Sequence, residues 1–160
     1  MLFRRGSWDR PPAEPAGVLL ASAGTPFSGA AVRRAHELAA GQPVAVLTIL
    51  KVYGSSFGLP NPGLLPTRRE RDEQYAIVRR AIAAVERRGG AADGQIAVTR
   101  SAGRTIAKVA RRRRVRYVVM DDSAPSGMRR VTEGAVTATV RRRLGERVTL
   151  ELIGPGARVS

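Results

Sequence analysis

Residues Gly17 to Val52 read GVLLASAGTPFSGAAVRRAHELAAGQPVAVLTILKV, two apolar runs on either side of a helical pattern. The first run, Gly17 to Ser22, is short and bounded by turn residues, as a strand buried on both faces should be. Ser28 then stands as an N-cap; Ala31, Ala35, Leu38 and Ala39 keep helical spacing, and Gly41 supplies the stop. Pro43 to Val52 is rich in β-branched residues and reads as the second strand. Strand, helix and strand in this order predict a right-handed crossover between parallel strands.

The same alternation continues along the chain. A Gly- and Pro-containing loop from Tyr53 to Pro66 ends at Thr67-Arg68-Arg69-Glu70, a capping box in which hydroxyl and carboxylate satisfy backbone N–H groups at a helix start. Tyr75, Val78, Ile82 and Val85 give that helix one apolar face, and Gly89-Gly90 ends it. Gln95 to Thr99 reads as a strand followed by a helix carrying Ile106, Val109 and Ala110. Arg116 to Met120 reads as a strand followed by a helix carrying Val136, Val140 and Leu144. Arg147 to Ile153 closes the series, with Val148, Leu150 and Leu152 alternating with Thr149 and Glu151, a pattern that suits an edge strand able to add to another chain. The prediction is an α/β fold of three layers: an open, five-stranded parallel sheet between four helices. Residues 1–16 read as a flexible N-terminal arm, 17–153 as one domain and 154–160 as a tail.

Composition excludes several kinds of chemistry. With no Cys and His36 as the only histidine, there are no thiolates to ligate zinc and no histidine set for a conventional hydrolase. His36 lies beside the apolar face of its helix and reads as a partly buried side chain. No apolar run approaches the ~18 residues of a membrane helix, and the first residues lack a signal-peptide core, so the expected location is cytoplasmic. Twenty-eight Lys plus Arg against 13 Asp plus Glu give a net charge of +15. Only Lys51 and Lys108 are lysines, so 28 − 2 = 26 of the cations are Arg; with the abundant Ala, Gly and Val this matches the codon bias of a GC-rich genome. The charge still implies a field that attracts polyanions.

The segments LLASAGTPFSGAAVRRAHELA, AVLTILKV, VTRSAGRTIAKVA and YVVMDDSAPSGMRRVTEGAVTATVRR followed by RVTLELI resemble the universal stress protein family over Gly17 to Ile153. The resemblance implies a sheet of order 3-2-1-4-5 of the adenine nucleotide alpha hydrolase-like kind, and a homodimer formed through the last strand, here Val148, Leu150 and Leu152. Nucleotide-binding members show Gly-x2-Gly-x9-Gly-Ser/Thr after the fourth strand, where glycines let backbone N–H groups approach phosphates. The matching positions here are Asp121, Ala124, Gly134 and Ala135, and Ala23 replaces the Asp that ends the first strand in those members. Gly24 and Thr25 fit the turn. Asp121 and Asp122 would repel a triphosphate unless a cation intervened. The resemblance therefore implies no resident cofactor, with ATP or another adenine nucleotide disfavoured.

Candidate ligand residues are Gly24, Thr25, Asp121, Asp122, Gly127, Arg129, Arg130 and Gly134. Asp121 and Asp122 lie at the carboxyl end of a central strand, where open α/β sheets place ligands. They read either as a magnesium- or ligand-binding pair or as turn and cap acceptors. Gly127 with Arg129 and Arg130 offers a helix start with two cations, or a solvated turn. Ser101 and Thr105 read as caps. The arginine runs Arg87 and Arg88, Arg111 to Arg114, and Arg141 to Arg143 each end a helix, where cations complement the helix dipole. In this fold they should gather at the pole opposite the crevice, a docking surface for nucleic acid or an acidic protein. No aromatic residue interleaves them, so such binding would be electrostatic and sequence-blind. The reading is a dimeric regulatory or interaction module of the stress response without bound ATP. Its rival is an adenine-nucleotide binder with slow hydrolysis.

Overall fold

A computed structural model describes residues 14–51, 66–122 and 128–154. The elements are β1 (Val18–Ser22), α1 (Gly29–Ala39), β2 (Val44–Lys51), α2 (Arg68–Arg87), β3 (Ala92–Thr99), α3 (Ala102–Arg112), β4 (Tyr117–Asp121), α4 (Met128–Leu144) and β5 (Thr149–Ile153). All pair in parallel in the order β3-β2-β1-β4-β5. The expected five-stranded sheet and its order are both present.

Period-two alternation within the apolar runs splits the core into two layers. Val18, Leu20, Val44, Val46 and Val119 face Val32, Ala35, Val78, Ile82 and Val85 of α1 and α2. Leu19, Leu47, Ile49, Val118 and Met120 face Ile106, Ala110, Val136, Val140 and Leu144 of α3 and α4. Burying each Val, Leu or Ile stabilises the fold by roughly 1.5–3 kcal/mol. His36 is half-buried, and its Nδ1 would lie 2.7 Å from a Cβ placed on Gly90, so a close approach holds it there.

The helix starts follow their caps. Ser28 Oγ accepts from the N–H of Ala31 at 3.0 Å. Thr67 and Glu70 form both bonds of the expected box, at 3.2 and 2.7 Å. At α3 the expectation fails: the Ser101 side chain makes no cap bond. Thr99 Oγ1 instead accepts from the Ser101 N–H and pairs with the Thr105 hydroxyl, each at 3.1 Å.

β3 begins at Ala92, before the expected Gln95, although Asp93 and Gly94 are weak strand formers. A long-range ion pair accompanies this extension. Asp93 accepts two bonds from Arg113, at 2.7 and 2.6 Å, and Arg113 Nε donates to the carbonyl of Glu14. Arg113 is 2% exposed. Ala16, placed with the arm by the sequence, is buried, and its N–H donates to the Arg113 carbonyl at 2.9 Å.

Candidate functional site

Strand order reverses beside β1, and the crevice at the carboxyl ends of β1 and β4 is where such sheets bind ligands. Gly24 turns the chain there with φ +108°, a conformation that glycine adopts without strain. Ser22 Oγ accepts from the Thr25 N–H at 2.9 Å and donates to the Thr25 carbonyl at 2.6 Å. Gln74 Nε2 donates to the Gly24 carbonyl at 3.0 Å. The polar groups of this turn thus bond largely to one another.

Asp121 closes the crevice from β4. Its carboxylate accepts from the Ser28 backbone N–H at 2.9 Å and from the Ser28 hydroxyl at 2.5 Å. An anion at the first turn of a helix is stabilised by amide donors and the helix dipole. Here the protein's own carboxylate holds that position at α1. The space left among Ala21, Ser22, Ala23, Thr25, Met120, Asp121, Val136 and Thr137 is about 20 Å³, about enough for one water. Asp122 is exposed, and its N–H donates to the Ile153 carbonyl at 2.9 Å. Asp121 thus accepts hydrogen bonds from the N-cap residue of α1, and not from the turn after β4 or the next helix as the sequence suggested. Arg129, Arg130 and Gly134 fall within α4. Gly127, like Ala124, lies outside the described residues.

The arginine runs do not form one surface. Arg87, Arg88, Arg111, Arg112, Arg114 and Arg141 are exposed. Arg113 is withdrawn from any docking face, because Asp93 and Glu14 bind its guanidinium in the interior. Arg142 and Arg143 line a concavity with Lys51, Arg100 and Arg104, which belong to the carboxyl ends of β2 and β3 and the first turn of α3. The cause is the offset of α4: it starts at Met128, and its residues Val136 and Thr137 are the ones that meet the ends of β1 and β4. At about 1.5 Å per residue, too little helix remains to carry Arg142 to the far pole.

On the other face, Arg34 of α1 grips Glu151 of β5 with Nε and Nη2, at 2.7 and 2.9 Å. These bonds hold the Glu151 carboxyl below its usual range and push the Arg34 guanidinium up. Glu151 thereby satisfies the polar face of β5, while Leu150 and Leu152, with Val148, pack towards the α3 and α4 layer. Sequence reasoning assigned no role to Ser22, Lys51, Arg100 or Arg104. The signal available for the last three was that a parallel sheet brings the ends of neighbouring strands together.

Strand order and crevice define an α/β protein of the adenine nucleotide alpha hydrolase-like kind. The model of the Universal stress protein family matches residues 17–149, and the chain belongs to that family. No curated protein sequence matches the chain. Among solved structures it is similar to the universal stress protein from Archaeoglobus fulgidus in complex with dAMP, at 17% identity and TM-score 0.62, covering 84% of this chain and 96% of that one. It is also similar to a universal stress protein family member from Burkholderia pseudomallei, at 19% identity and TM-score 0.60, covering 89% and 98%. A universal stress protein in complex with cAMP matches at 19% identity and TM-score 0.57, covering 88% and 98%. No helix among the described residues is long and apolar enough to cross a membrane.

Proposed function

We propose that this chain is a cytoplasmic, homodimeric regulatory module of the stress response whose β1–β4 crevice does not take an adenine nucleotide. The observation that carries the reading is the bond of Asp121 to the N–H and hydroxyl of Ser28. A phosphate brought within ~4 Å of that carboxylate meets a repulsion of about 1–4 kcal/mol per unit charge, depending on local polarity. It also finds the Ser28 amide donor occupied. Relatives hold dAMP and cAMP, but the matching positions here include Asp121 and Ala135 where binders carry glycine and a hydroxyl. Dimerisation is supported by β5, which has β4 on one side and an open edge on the other. Calorimetric titration of the full chain with adenosine tests the crevice. The expected result is no binding in the low micromolar range; adenosine binding at that level returns the chain to the nucleotide-binding members.

A further inference from the structure

We propose that the concavity between the start of α3 and the second half of α4 binds a compact inorganic oligophosphate, recognised by charge and without a base. Its floor is a close helix crossing: a Cβ on Gly103 would lie 2.7 Å from Thr139 Cβ. Its walls carry five cationic side chains, Lys51, Arg100, Arg104, Arg142 and Arg143, and no carboxylate stands among its described lining residues. None of the ion pairs described above involves Lys51, Arg104, Arg142 or Arg143.

Like charges converging on one recess repel one another; Arg100, Arg104 and Arg142 are exposed and partly screened by solvent, whereas Lys51 and Arg143 are half-buried and screened less. Codon bias accounts for many arginines but not for their convergence on one recess, and Lys51 lies outside that explanation. Arg143 Nε is buried with no hydrogen-bond partner, a donor left unmatched where buried donors are ordinarily bonded. The first turn of α3 adds backbone N–H groups that the Ser101 side chain does not cap. Together these groups suit an anion of high charge density, with guanidinium forks matching phosphate oxygens.

The volume, about 330 Å³, is at the lower end of the range for small-molecule sites. The described lining contains no aromatic side chain on which a base could stack. Size and lining therefore favour a short phosphate chain over a nucleotide or a nucleic-acid strand. The recess adjoins the β1–β4 crevice and shares Val136 with it, but its five cationic side chains line the recess alone, and the proposal does not depend on that crevice being empty.

The test is calorimetric titration of the full chain with sodium tripolyphosphate at low ionic strength. It is run on the unmodified protein, on Lys51→Gln/Arg104→Gln/Arg142→Gln and on Arg33→Gln/Arg87→Gln/Arg111→Gln, which removes the same charge elsewhere. The expected result is saturable binding that the first variant weakens at least about tenfold and the second about twofold or less. Equal losses in the two variants, or no saturable binding to the unmodified protein, overturn the proposal. Tighter binding of a single-stranded RNA oligonucleotide than of tripolyphosphate, with the same dependence on Lys51, Arg104 and Arg142, also overturns it in favour of a nucleic-acid partner. Melting curves check that each variant folds. If the triple variant does not, the exposed single change Arg142→Gln is expected to weaken binding about threefold, and an unchanged affinity rejects the site. Adenosine reports on the β1–β4 crevice alone, so the two proposals fail by different signals.

Discussion

Arg113 shows how far a side chain's role can depart from its sequence neighbourhood. Within the run Arg111 to Arg114, three members are exposed and one is among the most buried side chains of the protein. What separates them is geometry at the end of α3, where Arg114 adopts φ +53° and the chain turns into β4. A buried guanidinium is tolerated only when its donors are matched, and Asp93 and the Glu14 carbonyl do so. Asp93→Ala is accordingly expected to lower unfolding free energy by about 2–3 kcal/mol. That is somewhat less than for a fully enclosed pair, because Asp93 keeps some solvent contact. Urea denaturation measures it, and a loss under about 0.5 kcal/mol, typical of surface substitutions, would show that the pair is not a structural tie. No local pattern marks Arg113 among its neighbours. The partner lies 20 residues away in sequence.

Element by element, what the sequence discloses depends on how local the cause is. β1, β2 and α1 follow from Gly17 to Val52 because burial on both strand faces leaves continuous apolar runs, and Ser28 caps where a cap is needed. The Ser28 bond to Asp121 spans 93 positions and has no periodic signature. The offset of α4, which redirects Arg142 and Arg143, likewise has no periodic signature; it is seen only in how α4 lies against α3, close together at Gly103 and Thr139. The candidate site was therefore legible as a strand end, Asp121, but not as an occupied anion position. β5 adds a measurable electrostatic consequence. The Glu151 carboxyl is depressed by Arg34, so the pair's contribution is complete above the unfolded value of about 4.3 and is lost as pH falls through the lower folded value. Both side chains keep substantial solvent exposure, which limits the effect to about 0.5–1 kcal/mol. Glu151→Gln should lower stability by that amount at neutral pH and change it little near pH ~3. Chemical denaturation at both pH values gives the comparison; an equal deficit at each would remove the ion pair as the cause.

For the whole molecule, the open edge of β5 is where the proposed dimer is expected to form. The Thr149 N–H donates to Arg116 and the Ile153 carbonyl accepts from Asp122, so these residues point their backbone towards β4 and its end. By the alternation of a strand, the N–H and C=O of Leu150 and Leu152 point away from it, towards the free side. Leu150→Pro therefore removes a donor from the outer edge without deleting a bond to β4. The unmodified protein is expected to scatter light as a dimer at micromolar concentration, and the variant as a folded monomer. A monomer before substitution, or a dimer that survives it, would move assembly away from this edge.

The bonds at Glu14 and Ala16 also fix an orientation. Both residues attach at the end of α3 and before β1, at the amino-terminal side of the sheet, whereas the Asp121 crevice and the cationic recess open at its carboxyl side. A surface tether or fluorophore anchored through Glu14 would thus leave both recesses facing solution. The molecule has a built-in front and back, and Arg113 holds the back.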